Sequence, residues 1–504
     1  MVAVIESTLS STNAPVLILG MRCASALAKC PLKAMEKSLP VIVQQVLDII
    51  KQAGNTESEL VQVAFKSLAT VLRDGPPVEV KEKDLVFLIE LLSPDLEDPT
   101  RQASIFALLR AIVARKFIVP EIYDLMGKVS EIAVTSQSPQ VQELCRGVLL
   151  QFLLDYPQGK GRLRNQMAFF AKNLSYVYES GRTSIMELLD AVISKFQANL
   201  VREYADLLFV ALVMVVANDD STKCREMGAR LIKNLYTRLD EDHRNIVLSH
   251  LHSWASQSVQ PQLTWVSAQV SGLIVDVAQS EVLPYVTVIL DDLKASLQYS
   301  ASLSTADEDK DSHMDVDLEW QLPYHALTVL TKILRVFPTF ANQDDKIEWH
   351  LVVAHLLFPH AWVRTAACRI LGLLFSASPV APSRPDLPDD HPLSKPGMTD
   401  VANKLSQQLK SEHLDEVLGL QIVKNLFYLG KCFCLFPVDN EDEGFPNEPV
   451  PTLLENESSG EDKLKHLNNP LPWLFSKLSY QVKSGHIARR NRAACMVSVT
   501  LPGT

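Results

Sequence analysis

The sequence predicts an all-α protein, a HEAT-type α-solenoid of stacked antiparallel helix pairs. Three observations predict it. Apolar residues recur at helical spacing through most of the 504 residues, the breaks between them are short polar turns, and one capping pattern returns at multiples of roughly 40 residues.

Residues 1–299 read as the first run of solenoid. Leu163, Met167, Phe170 and Leu174 follow i, i+4, i+7, i+11, and Val141, Leu144, Val148 and Leu149 keep similar spacing, as do Ile232, Leu235 and Leu239. The turns are "SPDLEDP", "TSQSPQ", "DYPQG", "NDDS" and "SVQPQ". After such turns comes a long polar residue and, three residues on, a small one. The instances are Thr100-Arg101…Ser104, Val141-Gln142…Cys145, Cys224-Arg225…Gly228 and Val363-Arg364…Ala367. The polar positions are separated by 41, 83 and 139 residues, or one, two and three units of HEAT-repeat length. The small residue lets the second helix of a pair approach its neighbour. "DLEDP", "NDDS" and "SQSP" offer side-chain oxygens to the unpaired amides of a helix start. In this reading Asp219-Asp220 is a helix cap, not a pair of catalytic carboxylates.

Further along, 300–317 reads as an acidic loop, 318–376 as solenoid continued, and 377–396 as a proline-rich disordered loop that cannot be helical. Then come a helical pair at 397–436, an acidic disordered linker at 437–462, a helix at 463–485, and an irregular tail at 486–504 that does not close with a polar capping repeat. The net charge is −11, but Asp307–Asp317 and Asp439–Asp462 together carry −14, so the remainder is close to +3. Acidity therefore sits in two solvated runs and does not exclude an anionic partner.

The eight cysteines form no C-x-x-C pair, and Cys432 and Cys434 read as core packing, a reduced intracellular pattern. "MVAVIESTLSS" lacks the basic start of a signal peptide, and the longest apolar run, "LLFVALVMVVA", has 11 residues against the roughly 20 of a membrane span. The expectation is no membrane partner, no small-molecule substrate, no cofactor and no metal. His350, His355 and His360 are five apart, whereas zinc pairs on a helix stand four apart, so they read as core or capping histidines. Trp349 and Trp362 read as packing between repeats. No nucleophile, carboxylate pair or phosphate loop is recognisable, so the chain reads as non-enzymatic.

The stretch "LDYPQGKGRLRNQMAFFAKNL" (154–174) carries the one candidate site. It is not a phosphate-cradling loop of the Walker type: a helix precedes it, and Arg162 stands where that motif needs Lys. It reads as a bend in which Pro157 ends one helix and glycine allows left-handed backbone. Yet Lys160, Arg162 and Arg164 crowd a helix start, where each cation costs about 0.3–1 kcal/mol against the macrodipole. They either bond carbonyls of the preceding helix or hold an anion, and Lys172 extends the row. Ser458 and Ser459, each with an acid three residues on, are candidate phosphorylation sites.

Several blocks carry a resemblance to a known family. They are Arg101-Gln102-Ala103, Arg115-Lys116, "VPEI" at 119–122, Lys128-Val129-Ser130 and Asp155-Tyr156-Pro157. Then come Tyr176, Tyr178-Glu179, Gly181-Arg182, "NDDS" with Cys224, "PHAWV" with "GLLF", "VKNL" at 423–426, and Trp473-Leu474 with Lys477-Leu478-Ser479. In this order, from about Val80 to Ser479, the chain resembles the C-terminal region of the U-three small-nucleolar-RNA-associated protein twenty family. That family is the very large HEAT-repeat component of the small-subunit processome. The resemblance implies a nucleolar, non-catalytic scaffold that supports pre-rRNA processing and small-subunit assembly. It implies pre-ribosomal proteins, and pre-rRNA or snoRNA, as partners. Family members are several times longer and end in a lysine-rich tail, of which Arg489, Arg490 and Arg492 are the only trace here. On the residues alone a second class stays open, a nuclear transport receptor or adaptor that binds protein without RNA.

Overall fold

The computed structural model describes residues 2–30, 32–98, 100–257, 260–306, 320–343, 346–382, 384, 386–409 and 414–436, with Leu474 and Leu478. Among them every regular element is a helix and none is a strand. The residues fall into two compact units, Met1–His243 and Arg244–Thr504.

The first unit holds α1 (Val2–Leu9), α2 (Ala14–Ala28), α3 (Lys33–Ala53), α4 (Glu59–Asp74), α5 (Glu82–Leu92), α6 (Gln102–Ala114) and α7 (Pro120–Thr135). It continues with α8 (Pro139–Asp155), α9 (Gly159–Asn173), α10 (Glu179–Lys195), the short α11 (Ala198–Glu203), α12 (Ala205–Asn218) and α13 (Thr222–Thr237). α13 shows why these segments are helical. Ser221 Oγ accepts the Cys224 amide at 3.3 Å, and Cys224, Met227, Leu231 and Leu235 then put one apolar face into the core. Ser58 and Ser138 cap α4 and α8 in the same way. Fully buried leucines such as Leu231 and Leu235 each contribute about 1.5–3 kcal/mol.

Helices two apart pack into rows. α2, α4, α6, α8, α10 and α13 form one continuous row. They begin at 14, 59, 102, 139, 179 and 222, in steps of 45, 43, 37, 40 and 43. Across from it, α1 packs on α3, α5 on α7 and α9 on α12. Partners such as α7 and α8 are joined by only three residues and pack together, so they run antiparallel.

The recurring polar residue has a definite job, and the structure corrects its membership. Gln142, Arg225 and Arg364 are each the fourth residue of their helix and reach back to the carbonyl six residues earlier. Gln142 Nε2 donates to Ser136 O (2.8 Å), an Arg225 amino group to Asp219 O (2.6 Å) and an Arg364 amino group to Phe358 O (2.8 Å). Gln62 and Arg182, also fourth in their helices, do the same to Thr56 O (2.7 Å) and Tyr176 O (2.9 Å). Arg101 does not belong to the set. It stands one residue before α6 and pairs instead with Asp95, Asp98 and Glu57, while the fourth position of α6 is Ile105. The in-register steps are thus 40 and 43, from Gln142 to Arg182 to Arg225.

The second unit takes in α14 (Glu241–Ala255) from Arg244, then α15 (Pro261–Ala278), α16 (Val286–Ala306), α17 (Gln321–Val336), α18 (Trp349–Ala354), α19 (Ala361–Ala377), α20 (Lys395–Leu409) and α21 (Glu416–Phe433). α15, α17, α19 and α21 form its continuous row, α16 packs on α17 and α18, and α20 packs on α21. Lys332 ties α17 to α15 through Gly272 O (2.9 Å) and Asp276 (2.8 Å), and Asn425 Nδ2 ties α21 to Cys368 O of α19 (2.8 Å). The span Pro261–Ser302 is long and apolar enough to cross a bilayer by composition. Its backbone is broken at Gln279 (φ 49°) and by a 3-10 stretch to Tyr285.

Two loop boundaries differ from expectation. α16 runs to Ala306, six residues past the expected start of the acidic loop, because Leu297 and Ser300 are buried and hold the helix to its neighbours. The proline-rich loop is packed at Leu387 and over 391–394, and most of its other described residues are exposed. Leu387, His391, Leu393 and Ser394 are buried, and the His391 ring meets Trp349 edge-on at 6.0 Å. Proline bars a helix there but does not stop apolar side chains from docking. Ser394 Oγ accepts the Gly397 amide at 3.1 Å and starts α20 two residues early. Leu474 and Leu478 are helical and buried; the rest of 437–504 lies outside the described residues.

Candidate functional site

The bend before α9 is built from aromatic residues. α8 ends at Asp155, and the Tyr156 amide closes on Phe152 O at 3.0 Å. Gln158 Nε2 donates to the same carbonyl at 3.2 Å, and Tyr123 Oη donates to Pro157 O at 3.0 Å. Gly159, at φ 60°, then turns the chain into α9. Tyr123, Phe152 and Tyr156 pack with ring centres 4.8–6.4 Å apart. Burial, with the neighbouring Tyr123 and Asp155, pushes the Tyr156 phenol well above its ordinary pKa, and its hydroxyl donates to Phe117 O at 2.9 Å.

Lys160, Arg162, Arg164 and Lys172 are all exposed on α9. Among the described residues none of them bonds the carbonyls that end α8; Gln158 and the Tyr156 amide hold Phe152 O instead. Arg162 lies over the Tyr123 ring, 4.1 Å from its centre, a cation–π seat that neither expectation included. A helix turns about 100° per residue, so Lys160 and Arg164 share one side of α9 and Arg162 points to another. Arg164 lies close enough to Tyr204, just before α12, to act on its phenol. Burial, with the charge of Glu203 and a hydrogen bond to it, raises that group's pKa, while Arg164 works to lower it. The expected row is therefore divided, with Arg162 turned to Tyr123 of α7 and Lys160 and Arg164 on another side of α9. Lys172 stands in the last turn, where the dipole favours a cation.

Other sequence candidates resolve individually. Ser221, not Asp219, caps the start of α13; Asp219 ends α12, and its Oδ1 accepts the Ser221 amide at 2.8 Å. Asp219 takes a two-pronged ion pair from Arg182 at 2.7 and 2.9 Å, with its carboxylate 4% exposed. His355 is buried between Leu351 O and Ser300, His360 caps α19 by accepting the Trp362 amide, and His350 faces Glu348 and Asp390. Trp349 is buried. Trp362 packs edge-on against Trp320 at 4.9 Å, so α17 meets α19 there, but it stays 55% exposed. Cys432 is buried and Cys434 exposed, so only the first is core. Among the described residues no three His, Cys, Asp or Glu side chains are grouped to hold a metal. Ser458 and Ser459 lie outside the described residues.

The paired helices stacked in rows at HEAT spacing define an all-α helical-repeat protein. No family model matches the chain. It is 33% identical over 438 residues to U3 small nucleolar RNA-associated protein 20 of Schizosaccharomyces pombe, covering 86% of this chain and 17% of that protein. To the protein of the same name from Saccharomyces cerevisiae it is 31% identical over 334 residues, 66% of this chain and 13% of that protein. Over these residues the chain belongs to the family of U3 small nucleolar RNA-associated protein 20. It spans about a sixth of the length of the curated relatives it matches. The solved structure of Kap121p bound to Pho4p aligns with 98% of this chain and 45% of its own at 15% identity and a TM-score of 0.48. At that score the fold assignment rests on the helix pairing described above.

Proposed function

We propose that the chain is part of a non-catalytic scaffold of the small-subunit processome. In this role it works in the nucleolus and supports pre-rRNA processing and small-subunit assembly by holding pre-ribosomal proteins and pre-rRNA or snoRNA. The observation that carries this reading is the identity, over 86% of the chain, with a protein whose name records association with the U3 small nucleolar RNA. The stacked helix rows suit it, because they present extended surfaces rather than a single cleft. Lys160, Arg162 and Arg164, with Lys172, are the contact surface in this reading. Ser458 and Ser459 are sites at which phosphate would add about −1.5 to −2 charge to the acidic run at 437–462.

Gradient sedimentation of the tagged chain from growing cells, with U3 RNA probed in each fraction, tests the proposal. Migration with large U3-containing particles is the expected result. A chain confined to light fractions, or to particles lacking U3, overturns it.

A further inference from the structure

We propose that α9 and α12 together form a docking strip for an acidic amphipathic helix of a partner protein. This deepens the reading of the α9 cations as a contact surface and rests on it.

The first observation is charge. α9, "GKGRLRNQMAFFAKN", carries four cations and no acid. Several other cations of the first unit have carboxylate partners, among them Lys116 with Asp155, Arg146 with Glu187, Arg182 with Asp219 and Arg202 with Asp240. Among the described residues Lys160, Arg164 and Lys172 have none, and Arg162 rests on an aromatic ring. The helix start adds its own positive end to Lys160 and Arg164. Glu203 and Asp206 stand where α12 begins, and the Tyr204 hydroxyl reaches Glu203 at 3.4 Å. The strip is thus positive along α9, and its two acids stand together at the α12 end.

The second observation is apolar. On α12, which packs on α9, Leu207, Val210 and Met214 are 39%, 38% and 52% exposed. Their spacing of three and four places them in one stripe along the helix. α9 and α12 pack against each other, so the charged row and the apolar stripe stand on neighbouring helices. On α9, Gly161 and Ala168 are exposed, and space is open beside Gly161.

RNA phosphate would neutralise the cations but leave Leu207, Val210 and Met214 facing water. A helix with apolar residues at i, i+3, i+4 and i+7 and Asp or Glu along one flank satisfies both rows at once. α12 has 14 residues, so the matching helix is about 20 Å long, or about four turns.

The test is site-specific photo-crosslinking in cells with the full chain carrying Val210→benzoylphenylalanine, with Glu143→benzoylphenylalanine on α8 as the control. The expected adduct at 210 is a peptide with apolar residues at helical spacing and acids on a flank. It should fall at least tenfold with Met214→Glu and with Lys160→Gln/Arg164→Gln/Lys172→Gln, while the melting temperature of each variant stays unchanged. Nucleotide adducts, a basic or non-amphipathic peptide, insensitivity to the variants, or no adduct above the 143 control would each overturn the proposal. U3 RNA is probed in the same fractions. An adduct of the expected kind in fractions without U3 upholds the docking strip and rejects the processome reading; U3 co-migration without the adduct does the reverse.

Discussion

The Arg182 guanidinium clasps the Asp219 carboxylate through Nε at 2.7 Å and a terminal nitrogen at 2.9 Å. A second terminal nitrogen reaches Tyr176 O and Val177 O at the start of its own repeat. One side chain thus joins the α9–α10 turn to the α12–α13 turn. Burial works against its charge, but hydrogen bonds to Asp219 and Cys224 and the charge of Asp219 outweigh this and hold its pKa above the ordinary value. Removing one partner of a buried pair strands the other. Arg182→Ala is expected to destabilise the first unit by about 3 kcal/mol. Arg182→Leu with Asp219→Leu should cost less than the sum of the single changes. Urea unfolding followed by hydrogen exchange across 176–182 and 219–224 checks both, and additive effects would show that the pair is not coupled.

Gly181 and Gly161 should respond in opposite directions to the same change. A methyl group at Gly181 would run into the Val134 carbonyl oxygen and the Tyr176 ring, where α10 passes close to α7. At Gly161 it would meet nothing within 4 Å. Gly161→Ala is expected to raise stability by roughly 0.5–1 kcal/mol through helix propensity, and Gly181→Ala to lower it by about 1–3 kcal/mol through overpacking. Thermal melts of the two variants side by side give the sign directly.

His325 makes the second unit sensitive to acid. Burial first, and then the charge of Lys332, push its imidazole down to about 4, and its ring stacks on Trp265 at 5.8 Å. An unfolded histidine titrates near 6.5, so between about pH 6.5 and 4 only the unfolded chain takes up this proton. The contribution is complete above the unfolded value, fades as pH falls through the window, and flattens below about 4; its size is about 3 kcal/mol. His325→Gln should therefore shrink the difference in melting temperature between pH 7 and pH 5. An unchanged difference would mean that His325 protonates equally well in the folded state.

Replacing Lys160, Arg162 and Arg164 together by Gln should cost the fold little. The cost expected is about 0.5–1 kcal/mol, nearly all of it from the Arg162 seat on Tyr123. Arg162→Gln alone should reproduce it, and Lys160→Gln/Arg164→Gln should not. Particle association is expected to weaken most at low salt, with the remainder less dependent on salt, because a charge contact has been lost. Melting and sedimentation at two salt concentrations separate these effects. A triple variant that unfolds would show the cations to be structural.

Helix type and the repeat period of this protein are determined locally. Leu163, Met167 and Phe170 are buried on α9 and Leu174 just past its end, and Ser138 and Ser221 cap the helices they precede, because spacing and capping act within one or two turns. The polar ladder was legible in part: Gln142, Arg225 and Arg364 were visible, Arg101 was misassigned, and Arg182 was passed over. Register among such residues depends on where each helix starts, and Arg101 falls one residue outside α6. Apart from Trp362, contacts between repeats were not legible. Tyr123 lies 39 residues before Arg162, and Asp219 lies 37 after Arg182, with nothing in either stretch of sequence to link them. The tertiary structure alone decided that Asp219 pairs with Arg182 and leaves the start of α13 to Ser221, that the 154–174 cations divide between two sides of α9, and that the end of a proline-rich segment packs. Each depends on which surfaces come together once the helix rows stack, and stacking is set by the summed burial of many side chains rather than by any local signal.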